Sequence, residues 1–194
     1  EAQYNTISQR AALTVEPMED VDVQLQYRSY QLINNSKEFA VPGQVRFDAV
    51  WEVEDLESHA FGHRRTNVDG DVNIQLLSDV HVDVGGGLEI MDRTLREVEK
   101  SQELKGRAGV RLTPMETFMV KAGYEFGQRR MDAFHLSDYT LNGALAERHG
   151  LRRSDVTDRD LSRVTAATQI LPMGDLVLNV QGHYGKEDYL PGKG

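Results

Sequence analysis

The sequence predicts an all-β protein: an antiparallel up-and-down array of hairpins, with about eight strands, that forms a membrane β-barrel or a segment of one. Three observations predict it. Apolar and polar residues alternate over long runs, which is the period of a strand with one apolar face. The unit recurs along the chain, and three copies turn at a Pro-Met pair that begins at Pro17, Pro114 or Pro172. Finally, tight turns fall at one end of the array and long connections at the other.

The hairpin at residues 107–127 shows the pattern most clearly. Ala108, Val110 and Leu112 share one face of its first run. Alternate residues from Phe118 to Phe126 give the second run an apolar face as well. Four copies of this unit predict turns and loops along the whole chain, which we interpret as a single antiparallel β domain over residues 1–194. The predicted turns lie near 17–20, 77–80, 113–117 and 172–175, and the predicted long loops at 33–65, 92–103 and 128–160.

Composition excludes several classes of function. The net charge of −9 and the pI near 5.1 argue against nucleic acid as a partner, because phosphate binding needs clustered Lys and Arg. The chain has no cysteine, which excludes disulfides, iron–sulfur clusters and covalent c-type haem. We therefore expect no cofactor of its own, and any redox group would belong to another chain. The sequence opens at Glu1 without a signal-like segment, which we interpret as a mature chain or an internal segment.

The two faces of the predicted strands differ in charge. One face is almost uncharged, whereas the other carries residues such as Arg28, Asp71 and Arg111. A soluble sandwich also permits this pattern. The asymmetry between short turns and long loops, with aromatic residues near strand ends, favours a barrel in the outer membrane of a Gram-negative envelope. Such strands need only about 9–11 alternating residues to cross the bilayer. The alternative location is the periplasmic face of a membrane complex.

Several segments, in order, resemble a known family. They are Tyr27–Tyr30, Val41–Glu52, Asp92–Glu99, Tyr124–Gly127, Leu151–Asp155 with Asp158–Asp160, and Tyr184–Tyr189. This set is similar to the MtrB/PioB outer-membrane barrels of porin–cytochrome conduits. The resemblance implies a non-enzymatic scaffold that sheathes a multihaem c-type cytochrome, which carries the haem, so that electrons cross the membrane.

The length departs from that family, whose barrels are longer. About eight strands close into a barrel that its own side chains fill, which leaves no room for haems. Either the sequence is part of a larger barrel, or it is an accessory β-sheet subunit that docks on the cytochrome of a respiratory or photosynthetic complex. A passive outer-membrane porin is the third interpretation.

The best candidates for contact with a partner are Val45, Phe47 and Trp51, because apolar side chains on a loop need burial. Arg152 and Arg153, in the segments that carry the resemblance, are further candidates.

We predict no metal or catalytic site. His59 and His63 are four residues apart, a spacing that could suit a metal ion, but we expect solvated loop histidines. The aspartates at 155, 158 and 160 are better explained by a salt-bridged loop than by a calcium site. No catalytic motif is present, and glycines 85–87 suggest a bend or a close backbone approach within a strand.

Overall fold

The computed structural model of the chain describes residues 2–41, 56–57, 59–96, 98–133, 157–173 and 176–190. These residues form ten strands and no helix. The strands are β1 (Tyr4–Met18), β2 (Val21–Asn34), β3 (Ala40–Val41), β4 (Leu56–Glu57), β5 (His63–Leu77), β6 (Val80–Arg93), β7 (Lys100–Met115), β8 (Phe118–Met131), β9 (Asp158–Met173) and β10 (Leu176–Leu190). No helix in the described part of the chain is suited to crossing a membrane.

Eight of the strands form one sheet. Its order is β1-β2-β5-β6-β7-β8-β9-β10, so each long strand pairs with the next one along the chain, and every pairing is antiparallel. The two-residue strands β3 and β4 pair only with each other. This up-and-down topology confirms the predicted fold class. The sheet is open, because β1 and β10 do not pair with one another.

The tight-turn end of the sheet is built from a repeated local geometry. In each hairpin the register shifts beside the turn, between Val15 and Met18 on β1 for example. The turns also bond to the next hairpin: the carbonyl of Asp20 accepts a hydrogen bond from the backbone N–H of Gln75, and that of Asp79 accepts one from Thr113, both at 2.8 Å. The four similar sequence units thus become one regular edge.

The register places apolar residues in rows that run across the whole sheet. One row joins all eight strands through Val15, Val23, Val72, Val84, Ala108, Tyr124, Val164 and Tyr184. Because side chains alternate between the faces, the intervening residues form equally continuous polar rows on the other face. The two faces predicted from the sequence are therefore confirmed as continuous surfaces.

The strands are tilted within the band of apolar residues. On β1 the band is centred at Ala11, and the row through Ala11 ends at Asp188 on β10. On β10 the band is centred instead at Val180, eight residues closer to the turns. The centre of the apolar band therefore shifts by eight residues along the strands from β1 to β10. With about 3.4 Å per residue and about 4.8 Å between strands, this shift corresponds to strands tilted by about 40°, which is within the range of β-barrels.

Candidate functional site

We define the polar face as the side of the sheet that carries Arg28, Asp71 and Arg107. Basic side chains outnumber acidic ones on this face, although the whole chain has a net charge of −9. The basic residues are Arg10, Arg28, Arg65, Arg93, Lys105, Arg107, Arg111, Lys121, Arg129, Arg159 and Arg163, and the acidic ones are Asp22, Asp69, Asp71, Asp83, Glu89, Glu103, Glu125 and Glu187.

Ion pairs cross the polar face from strand to strand. Arg28 Nη2 donates to Asp69 Oδ2 at 2.8 Å, which links β2 to β5. Arg65 on β5 and Lys105 on β7 both donate to Glu89 Oε2 on β6, each at 2.8 Å.

The longest of these links each span three strands. Arg107 on β7 binds both carboxylate oxygens of Asp71 on β5, and Arg159 on β9 binds Glu103 on β7 at 2.5 Å. These hydrogen bonds hold the charged side chains across the sheet.

Glycines on the polar face provide the space for these links. A Cβ atom at Gly85 would lie 2.1 Å from Asp71 Oδ1 and 2.8 Å from Arg107 Nε, so the Asp71–Arg107 pair crosses β6 only because residue 85 has no side chain. Gly127 lies below the Glu103 carboxylate in the same way, with a Cβ-to-Oε1 distance of 3.2 Å. At Gly85 and Gly87 the close approach is made by the side chains of Asp71 and Asp69, not by the backbone approach that was expected.

The polar face is the concave one. A groove of about 750 Å³ is lined by residues from six adjacent long strands, from Arg10 on β1 to Glu125 on β8. A second cavity of about 360 Å³ lies nearer the turns, between Asp22 and Arg111. Side chains converge on a concave surface and diverge on a convex one, which explains why Glu103 is only 8% exposed although it is charged.

The opposite, apolar face has no cover in the part of the chain that the structure describes. Leu13, Val84 and Val164 are between 50% and 56% exposed, with similar values across the sheet. Only Val98 and Leu161 are buried hydrophobic residues among those described. A band of this size exposed to water would be unfavourable, so its environment must be apolar.

The apolar face becomes polar beyond the band, at the long-loop end of the sheet. There Arg130 Nη1 donates to Asp160 Oδ1 at 2.7 Å, and this hydrogen bond lowers the pKa of the Asp160 carboxyl. On the last strand, Lys186 Nζ lies 2.8 Å from Asp188 Oδ2. Tyr27, Tyr124 and Phe126 lie just inside this rim, where barrels carry their aromatic girdle.

The five partner-contact candidates, Val45, Phe47, Trp51, Arg152 and Arg153, lie outside the described residues, and their role stays a prediction. The histidines do not converge: His59 Nδ1 lies 3.6 Å from Glu38 Oε1, while the ring of His63 contacts Tyr30 with 5.6 Å between centroids. Across the described ranges no set of His, Asp and Glu residues is arranged to bind a metal ion.

Sequence reasoning did not find the individual ion pairs of the polar face. It recognised the charges, but the pairing partners lie 36 residues apart for Asp71 and Arg107 and depend on the register of three strands. One signal was available, because glycines at alternate positions of a charged strand face indicate that neighbouring side chains lie across it.

A tilted antiparallel sheet with a convex apolar face, a concave charged face and a polar rim defines the wall of an outer-membrane β-barrel. Comparison with known families identifies one: the family model of the MtrB/PioB outer membrane β-barrel porins matches residues 1–191. The chain belongs to the MtrB/PioB family, and it is an outer-membrane protein.

Solved structures show the same fold. Outer-membrane expressed OmpT of Vibrio cholerae superposes with a TM-score of 0.60 at 11% identity, over 94% of this chain and 46% of that one. An in-vitro folded, trimeric form of OmpT from the same organism gives 0.58, also at 11% identity, over 95% and 46%. This chain thus spans about half the length of the solved proteins it matches. No curated protein matches it in sequence.

Proposed function

We propose that this chain is a non-enzymatic part of the wall of an outer-membrane conduit that holds a multihaem c-type cytochrome against its polar face. The haem belongs to the partner. The barrel insulates the partner from lipid and provides a charged surface, the polar face, on which the partner binds. The observation that carries the proposal is the concave face of fixed ion pairs behind an uncovered apolar face. Membership of the MtrB/PioB family supports it.

The wall acts by exclusion. In hydrocarbon every backbone N–H and C=O must be paired within the protein, and a barrel meets this condition between its strands. Its lipid-facing side chains keep the membrane intact around a polar interior. An electron carrier inside is thereby separated from lipid, yet it contacts a surface of hydrogen-bonded charges that needs little rearrangement when a partner binds.

An enclosed partner needs a lumen wider than eight strands form. Eight strands alone close into a barrel whose interior side chains fill. The sheet here is open at β1 and β10, and it covers 46% of the structurally similar outer-membrane protein. With further strands between these two edges, the polar face would line a wider channel.

Co-purification tests the proposal. The intact protein, affinity-tagged and extracted in mild detergent from its native host, is expected to carry a haem-containing subunit whose visible absorbance elutes with the barrel at a fixed ratio. The accessory-subunit alternative predicts the same haem in a complex that purifies without detergent. A haem-free barrel from cells that express multihaem cytochromes would contradict the proposal.

A passive porin is the second candidate, and it is favoured by the description of the family as porins. It predicts an open, water-filled lumen that conducts ions in planar bilayers when no partner is present. The two functions differ in the native complex: a barrel filled by a cytochrome conducts poorly until the cytochrome is removed, whereas a passive porin conducts in both preparations.

A further inference from the structure

The groove on the polar face contains more positive than negative charge. Its basic lining residues are Arg10, Arg28, Arg65, Lys105 and Arg107. Three carboxylates also line it: those of Asp69, Glu89 and Glu125. Its volume of about 750 Å³ lies within the range of small-molecule sites.

The ion pairs leave this excess uncompensated. Arg28 is balanced by Asp69, and Arg107 by Asp71 beside the groove. Glu125 is already paired, since Arg163 lies 3.6 Å from it.

Arg65 and Lys105, in contrast, share the single carboxylate of Glu89. Within 4.0 Å of Lys105, the only other carboxylate among the described residues is that of Glu103, and Glu103 is bound more closely by Arg159.

Arg10 adds a second unbalanced charge. It forms no ion pair with any residue that the structure describes, and it lies directly opposite Arg28 in the β1–β2 register. Like charges in opposite positions of two strands repel one another. Asp69 offsets this repulsion from the side of Arg28 only, and an anion between the two guanidinium groups would offset the remainder.

We propose that the groove between β1 and β7 is a binding site for a multivalent carboxylate, held by Arg10 and Arg28 on one side and by Arg65 and Lys105 on the other. Glu89 lies between these cations and limits the affinity, because it competes with the ligand for two of them. The carboxylates belong either to a free solute in the lumen or to acidic groups on a protein inside the barrel. The site does not depend on the cytochrome proposal. Haem co-purification is measured without any added anion, so either experiment can fail while the other succeeds.

Calorimetric titration of the intact protein in detergent with citrate tests the site, with acetate at equal ionic strength as the monovalent control. We expect Arg10→Gln to weaken citrate binding by about tenfold, the effect of one charge-assisted hydrogen bond at a partly exposed site. We expect Glu89→Gln to tighten it by about tenfold, because Arg65 and Lys105 become available. A misfolded variant would not gain affinity, so this opposite sign separates the site from a folding defect.

Arg111→Gln is the matched control. Arg111 lies on the same face, also forms no ion pair with a described residue, and lies outside the groove. We expect its removal to change citrate binding by less than about twofold, since screening weakens charges more than a Debye length away. An equal loss in Arg111→Gln and Arg10→Gln, weaker binding by Glu89→Gln, or no binding of citrate at all would overturn the proposal.

A decaglutamate peptide in place of citrate identifies the source of the carboxylates. A groove for the acidic groups of a protein binds the peptide more tightly, because the peptide spans several strands at once. A groove for free solutes binds citrate at least as tightly. Both results require the same response to Arg10→Gln and Glu89→Gln, and a different response would overturn the site.

Discussion

Substitution of Val84 by arginine tests which solvent the apolar face contacts. Val84 lies at the centre of the apolar band of β6, and the residue is 50% exposed. On a water-facing sheet, an exposed substitution changes the free energy of unfolding by less than about 0.5 kcal/mol. At the midplane of a bilayer, arginine on a lipid-facing strand costs about 2–4 kcal/mol, or about 30- to 900-fold in the unfolding equilibrium constant.

Asn73→Arg is the matched control for Val84→Arg. Asn73 lies next to Val72, the direct partner of Val84 in the β5–β6 register, and it belongs to the polar face at nearly the same depth. Reversible unfolding of the intact protein in phospholipid vesicles by denaturant measures both variants. We expect a large loss for Val84→Arg and no loss for Asn73→Arg, because Asn73 lies directly opposite Asp22 and Asp83, which an arginine can pair with. Equal effects of the two substitutions would refute the assignment of the faces.

Three further predictions concern the ion pairs. Gly85→Ala is expected to lower the free energy of unfolding by about 1–2 kcal/mol, because the new Cβ would lie 2.1 Å from Asp71 Oδ1. A Cβ at Gly182 would meet nothing within 4 Å, so Gly182→Ala should leave the free energy of unfolding unchanged or slightly higher in the same denaturant titration. Arg159→Gln is expected to lower the free energy of unfolding by about 2–3 kcal/mol, because its partner Glu103 is almost buried. Arg163→Gln should lower it by less than about 1 kcal/mol, because Arg163 and Glu125 are 3.6 Å apart and both 40% exposed. Equal losses in the two variants would contradict this difference. Arg130→Gln is expected to raise the lowered pKa of Asp160 toward its ordinary value, as followed by carbon-13 NMR of the carboxyl. Because the folded pKa is the lower one, the pair stabilises the protein above the unfolded pKa and loses this effect as the pH falls through the folded pKa.

The fold was largely predictable because the signals that define it are local. Period-two alternation assigned residues such as Ala108 and Arg111 to opposite faces, and the register confirms that assignment. Two of the Pro-Met units lie directly before tight turns, at residues 19–20 and 116–117, and the turn after the third lies outside the described residues. Strand ends were harder to predict. The strand β1 continues to Met18, but the bulge beside the turn breaks the alternation of apolar and polar residues that would have indicated this end.

The polar face was predictable only as a class of surface. Its charges were visible in the sequence, but the sharing of Glu89 by Arg65 and Lys105 requires three strands in register. The spacing of residues along one strand does not define that register. The concavity that forms the groove also results from the whole sheet, so Arg10 could be recognised as a charge but not as part of a site.

Site-directed spin labelling along β8 tests the central claim most directly. The chain has no cysteine, so each introduced cysteine carries the only label. In lipid bilayers we expect nitroxides at Val120 and Ala122 to collide with oxygen dissolved in the membrane, and nitroxides at Met119 and Lys121 to collide with a water-soluble nickel complex. Loss of this alternation, or its reversal, would contradict a sheet whose apolar face contacts lipid and whose charged face lines the lumen.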